Sequence, residues 1–188
     1  AWLDNLLSTK LPGPGRARLA VMLSPEGRLK GDLTLLNWGD GTYWIMGSYY
    51  LRQWHMRWFM DHMADGVNIR DLGEEMAGFA LTGPNARKVM QKLVANDITP
   101  MPFMGCATFD VGMINARVAR MSVAGELGYE MSCRMGDHVK LRRQLLDAGA
   151  EFGLKEYGFN AMLSMRLEKS FGIWSAEFTQ DRTPGKTG

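Results

Sequence analysis

Cysteine is scarce in this chain: Cys106 and Cys133 are its full complement, and they stand far apart. That excludes a CxxC metal or redox pair, and beside 15 methionines two thiols fit a reducing compartment better than an oxidising one. No disulfide is expected. Histidine is almost as rare. His55 and His62 share one helical face without an HExxH pattern or a nearby cysteine, and His138 stands alone, so solvated or interfacial histidines are expected and no metal. No stretch approaches the roughly 18 consecutive apolar residues of a membrane span, and the opening residues lack the basic region and cleavage site of a signal peptide. The chain therefore reads as cytoplasmic or organelle-matrix, with no membrane partner. Charge of one sign is not in excess: the net formal charge is +2, and the basic residues are dispersed. A nucleic-acid partner is not expected. GxSxG, Walker and dinucleotide patterns are all missing, which removes the commonest hydrolase and nucleotide readings.

A composition of 46% hydrophobic and 22% charged residues belongs to a folded globular chain. After "LPGPGR", apolar-rich runs at 17–23 and 28–36 flank "SPEG", where Pro25 presets φ and Gly27 lets the chain leave the turn. This is a hairpin, and "NWGDG" before "TYWIM" adds a third strand to make a meander. From Ser48 the period becomes helical through Leu51, Trp54, Trp58 and Met63, with Ser48 as N-cap and Gly66 as stop, a helix of about four turns. That helix mixes arginines and histidines with aromatics, but at core spacing, so burial is expected over a single-strand binding platform.

"VNIRDL" and "MAGFALTG" read as strands, and "GPNARKVMQKL" as a helix with Pro84 at its first position. "GCATFDVGMINARVARMSV" and "GYEMSC" supply two or three more strands. "DHVKLRRQLLDAGAEFG" is a capped amphipathic helix ending at Gly153, and "GFNAMLSMRLEKSFG" is one more helix. The fold class is α+β: antiparallel sheets with helices packed on one face, including a ferredoxin-like unit. The expected organisation is residues 1–66 as a strand meander plus aromatic helix, 67–152 as the ferredoxin-like unit, and 153–188 as a helix returning to the first part. The opening "AWLDNLLSTKL" has helical spacing without initiator or cap, and the chain closes on "DRTPGKTG"; both ends read as cut from something longer.

Two carboxylates stand against strand logic, Asp32 in "GRLKGDLTL" and Glu130 in "GELGYEM". Burying a charge costs several kcal/mol unless something compensates it, so an inward carboxylate has a fixed partner or a ligand. The alternative is that both face water, and the pattern alone leaves the two open.

The succession "GRLKGDLTL", "ALTGPNARKV", "MPFM", "RMSVAGELGYEM" and "LSMRLEKSFGIWSAEFTQDRTP" resembles, in order and over nearly the whole chain, the aminomethyltransferase family. That family comprises the glycine-cleavage T protein and the folate-binding C-terminal half of dimethylglycine and sarcosine dehydrogenases. "GELGYE" and "RLEKSFGIW" look closer to the latter branch. The resemblance implies a fragment of a fold that binds tetrahydrofolate between three domains and moves a one-carbon unit from a small-molecule donor. It implies Asp32 as the catalytic group at the folate nitrogens, against an electron-poor iminium carbon. It implies Glu130 as the pterin anchor, because a ring N–H beside an exocyclic amino group matches a carboxylate's two acceptors. Tyr129 would join it in the cofactor site, with Gly128 and Gly125 letting the backbone approach a planar ligand.

Departures accompany the likeness. Where many members carry a folate-holding arginine this chain aligns Met162, and Arg166 one turn on reads first as a structural ion-pairing residue and second as the remaining cofactor-side cation. The T-protein asparagine falls at Gly47 or Ser48. The family's C-terminal β-barrel is not in these residues. An FAD-dependent oxidoreductase half, fused or separate, is the implied partner, and bacterial cytoplasm or mitochondrial matrix the implied location. Two alternatives stand beside transfer: a non-catalytic folate-binding or assembly module, and a demethylase acting on a sulfonium donor.

Overall fold

The computed structural model describes residues 2–174 and 176–187. They form two compact units. The first runs through Asp71 and resumes at Gly172; the second is Leu72–Phe171. The return was expected from residue 153, but the last long helix stays with the second unit. Among the described residues no helix is long and apolar enough to cross a membrane.

The first unit opens with α1 (Trp2–Leu6), followed by a meander of β1 (Arg16–Leu23), β2 (Leu29–Asn37) and β3 (Tyr43–Met46), antiparallel and in that spatial order. The β1–β2 turn closes through the Gly27 amide on the Ser24 carbonyl, with Gly27 at φ 73°. Period-two alternation turns Leu33 and Leu35 of β2, with Ala20 and Met22 of β1, into one apolar cluster with Leu7 and Phe59. Phe59 comes from α2 (Arg52–Asp61), which follows a 3₁₀ turn over Tyr49–Leu51. This helix is shorter than its sequence suggests. The Ser48 side chain makes no capping bond, and at the far end the His62 amide bonds back to the Phe59 carbonyl, tightening the last turn well before Gly66. "VNIRDL" is not a strand: no neighbour supplies a ladder, and Asp71 is instead held by Arg52 at 3.3 Å.

The second unit contains β4 (Met76–Thr82), α3 (Ala86–Leu93), β5 (Cys106–Val111), β6 (Ile114–Ala119), β7 (Gly128–Arg134), α4 (His138–Gly149) and α5 (Phe159–Glu168). Its strands form one antiparallel sheet in the order β4-β7-β6-β5. The composition is that of a ferredoxin-like unit, with α4 following the last strand instead of preceding it. Pro84 lies two residues before α3, where Asn85 occupies the cap position. The α4 helix finishes in a 3₁₀ turn that ends, as its sequence suggests, at Gly153 in the left-handed region.

Alternation sorts the sheet into two faces. Leu81, Val111, Ile114, Val118, Tyr129, Met131 and Cys133 pack against Val89, Met90, Leu141 and Leu145 of α3 and α4. Each large apolar side chain so buried contributes about 1.5–3 kcal/mol. The other face carries Gly78, Ala80, Thr82, Arg117, Ala119, Gly128, Glu130 and Ser132 by register.

Candidate functional site

Glu130 stands in the middle of β7, which has a neighbour on each side. Across from it are Ala80 on β4 and Ala119 on β6, and along its own strand the same face carries Gly128 and Ser132. The side chains directly beside this half-buried carboxylate are thus small, while Arg117 of β6, opposite Ser132, stands diagonally across on the same face. Glu130 has no hydrogen-bonding partner among the described residues, and burial alone pushes its pKa up to about 7, with no cation to offset the desolvation.

Asp32 is the counterpart in the first unit. It pairs with Val21 on β1, while β3 reaches only as far as Thr34, so β2 has one neighbour at this point. Asp32 is half-buried on the face opposite the Leu33 and Leu35 cluster, and burial raises its pKa also. No hydrogen bond fixes it among the described residues. Sequence reasoning missed its neighbour Lys30, whose ammonium lies over the rings of Trp54 and Trp58 at 5.2 and 5.0 Å. The signal was present as a lysine two residues before the aspartate, but its direction was not.

Tyr129 requires a correction. Its side chain is on the helix-covered face and fully buried, 0% exposed, with its hydroxyl 3.5 Å from Arg87 Nε, so it is a core residue and not a ligand contact. A strand cannot present adjacent side chains to one face. The two glycines also serve the protein's own packing. A Cβ on Gly128 would lie 2.7 Å from Ser122 Cβ, and Gly125, at φ 73°, carries the Lys169 side chain against it. That contact belongs to a small knot: Lys169 pairs with Glu126 at 2.9 Å, and the buried Arg166 donates from Nη1 to the Phe171 carbonyl at 2.6 Å. Arg166 therefore ties off the end of α5. The segment holding Gly47 packs close to the buried His55, whose pKa burial lowers, so this imidazole is neutral.

Two shallow depressions lie elsewhere. One, of about 380 Å³, is bounded in the second unit by Arg87, Lys88, Gln91 and Thr99; the other lies among Ala176–Lys186 in the first. Neither includes Asp32 or Glu130. Among the described residues no three His, Cys, Asp or Glu side chains gather as a metal site.

Comparison with known proteins agrees with this fold. The chain is 31% identical to human mitochondrial dimethylglycine dehydrogenase over 99% of its own length and 22% of that protein's. It is 29% identical to the aminomethyltransferase of Bacillus subtilis over its full length and 53% of that relative. It thus spans from about a fifth to about half of the curated relatives it matches. In fold it superposes on the glycine cleavage system aminomethyltransferase T of Bartonella henselae with a TM-score of 0.83 at 22% identity, covering 97% of this chain and 49% of that one. Heterotetrameric sarcosine oxidase from Corynebacterium sp. U-96, in complex with pyrrole 2-carboxylate, gives 0.62 at 20% identity over 84% and 75% of the two chains. The GCVT N-terminal domain model matches residues 1–188, and the chain belongs to that family.

Proposed function

We propose that this chain supplies the folate-handling part of a tetrahydrofolate-dependent one-carbon transferase. The observation that carries the reading is Glu130, a half-buried carboxylate with no hydrogen-bonding partner among the described residues, flanked directly by glycine, alanine and serine side chains. Paired N–H donors on the edge of a flat heterocycle would give its oxygens two charge-assisted bonds, and the small flanking residues leave the ring room to lie down. Tetrahydrofolate, when bound, supplies the nitrogens that accept the one-carbon unit. Asp32 would hold or accept a proton at such a nitrogen and stabilise positive charge developing beside it, which a carboxylate freed of internal partners is suited to do. Methylated amines are the donor class favoured by the likeness to dimethylglycine dehydrogenase, and an oxidoreductase part is the corresponding partner.

Because burial raises the Glu130 carboxyl to about 7, binding of N–H donors pulls it toward the ionised form and releases protons near neutrality. Calorimetric titration of tetrahydrofolate into the full-length protein, repeated in buffers of different ionisation enthalpy, reads both affinity and protons. Glu130→Ala should weaken binding by about a hundredfold or more and abolish the release. Unchanged affinity rejects the anchor. Asp32→Ala should leave binding nearly intact and slow single-turnover transfer by about a hundredfold.

A non-catalytic folate-binding module is the second reading. It is favoured by Met162 in place of an arginine and by the engagement of Arg166 with the Phe171 carbonyl, which leave the helix without a cation for the cofactor. Folate retained without turnover in the same assay would establish it.

A further inference from the structure

Lys30 precedes Asp32 by two residues on the same strand. In a regular strand those two side chains would share a face about 6.6 Å apart, a separation that a lysine easily spans to form an ion pair. Here the ladder slips at that point. Met22 pairs with Gly31 and Leu23 with Leu29, so Lys30 is the extra residue of a β-bulge and has no partner across the ladder. A bulge re-aims the side chain it carries. The Lys30 ammonium is directed to α2, where it sits 5.2 Å from the Trp54 ring and 5.0 Å from the Trp58 ring, one helical turn apart on the same face.

We propose that Trp54 and Trp58 are positioning residues for Asp32: together with the bulge at Lys30 they sequester the lysine that precedes it on the strand, leaving the carboxylate half-buried and free of internal charge partners. The surroundings of Asp32 agree. On its face β1 offers Leu19 and Val21, and its own strand offers Thr34. The charged groups of α2 are otherwise engaged or remote: Arg52 bonds Asp71 and covers Tyr49, Arg57 lies over Trp54 at 5.9 Å, and His55 is neutral. Burial is the cause of the raised Asp32 pKa, and no cation offsets it. The functional meaning of this arrangement rests on the proposed transfer role: a carboxylate already neutralised by lysine would neither hold a proton at the acceptor nitrogen nor stabilise a developing cation.

The test is a carbon-13 NMR titration of the Asp32 carboxyl in the full-length protein, assigned by loss of its signal in Asp32→Asn. In Trp54→Leu/Trp58→Leu the released ammonium should pair with Asp32 and lower its midpoint by about one pH unit. Adding Lys30→Met to that double variant should restore the original midpoint. Lys30→Met alone should leave it where it is; an upward shift there would mean that Lys30 already neutralises Asp32 and would overturn the proposal, as would an unmoved midpoint in a folded double variant. The single lysine substitution keeps the test decisive even where loss of both indoles prevents folding. Since the titration does not depend on turnover, it can fail while Asp32→Ala still slows transfer, and the reverse, so the two ideas are judged separately.

Discussion

The two sheets expose a carboxylate to desolvation in different ways. Glu130 lies on an interior strand with β4 and β6 on either flank, and its pKa reaches about 7. Asp32 lies where β2 has lost β3 and keeps only β1, and burial raises its pKa also. The difference teaches that a carboxyl's dryness here follows from strand position as much as from the residues beside it. The contrast matches the two tasks proposed above, an anchor at Glu130 on an interior strand and a proton-handling group at Asp32 on a sheet margin.

The strongest way to break the comparison is to take away one of Glu130's flanks. A Cβ on Gly78 would run deep into the Met131 carbonyl oxygen of the neighbouring strand, so Gly78→Ala should prise β4 from β7 and destabilise the protein by about 3 kcal/mol or more. Denaturant unfolding measures it, and a loss within about 0.5 kcal/mol would mean that the strand pairing tolerates the methyl.

A milder experiment sharpens the contrast by changing charge alone. Glu130 has a folded pKa of about 7 against an ordinary 4.5, so its contribution to stability is fully present below pH 4.5 and is lost as pH rises through about 7. Removing the titration with Glu130→Gln should stabilise the unliganded protein at pH 8 by at most about 3 kcal/mol, and hardly at all at pH 4. Asp32→Asn should act with the same sign, beginning as pH rises past 3.8. Stability profiles against pH for the two variants would sink the comparison if they coincided.

The smallest effect belongs to the other face of β7. Tyr129→Phe keeps the buried ring and removes only the 3.5 Å contact with Arg87, so a loss below about 1 kcal/mol is expected, with the Glu130 titration unmoved. A changed titration would show that the two faces are coupled.

Much of the fold was legible because local signals and tertiary placement agree. The meander follows from "SPEG" and "NWGDG", the second sheet from alternating apolar runs, and the end of α4 from Gly153. Where they disagreed, a long-range partner decided. "VNIRDL" has strand composition but no strand to pair with, and Asp71 goes to Arg52 instead. Tyr129 and Glu130 are neighbours in sequence, yet adjacency within a strand separates them in space. Gly125 and Gly128 leave room for Lys169 and Ser122, which no local signal announces.

The amino-acid sequence alone determined the element types, the antiparallel meander, and the two carboxylates that do not belong in strands, because periodicity, turn chemistry and burial cost are properties of short stretches. Tertiary structure decided what those carboxylates meet. The alanines beside Glu130 come from strands brought together by β4-β7-β6 pairing, and the direction of Lys30 comes from a one-residue slip between β1 and β2. Both depend on ladder register, which is set by contacts between residues distant in the chain and is written in no single segment of it.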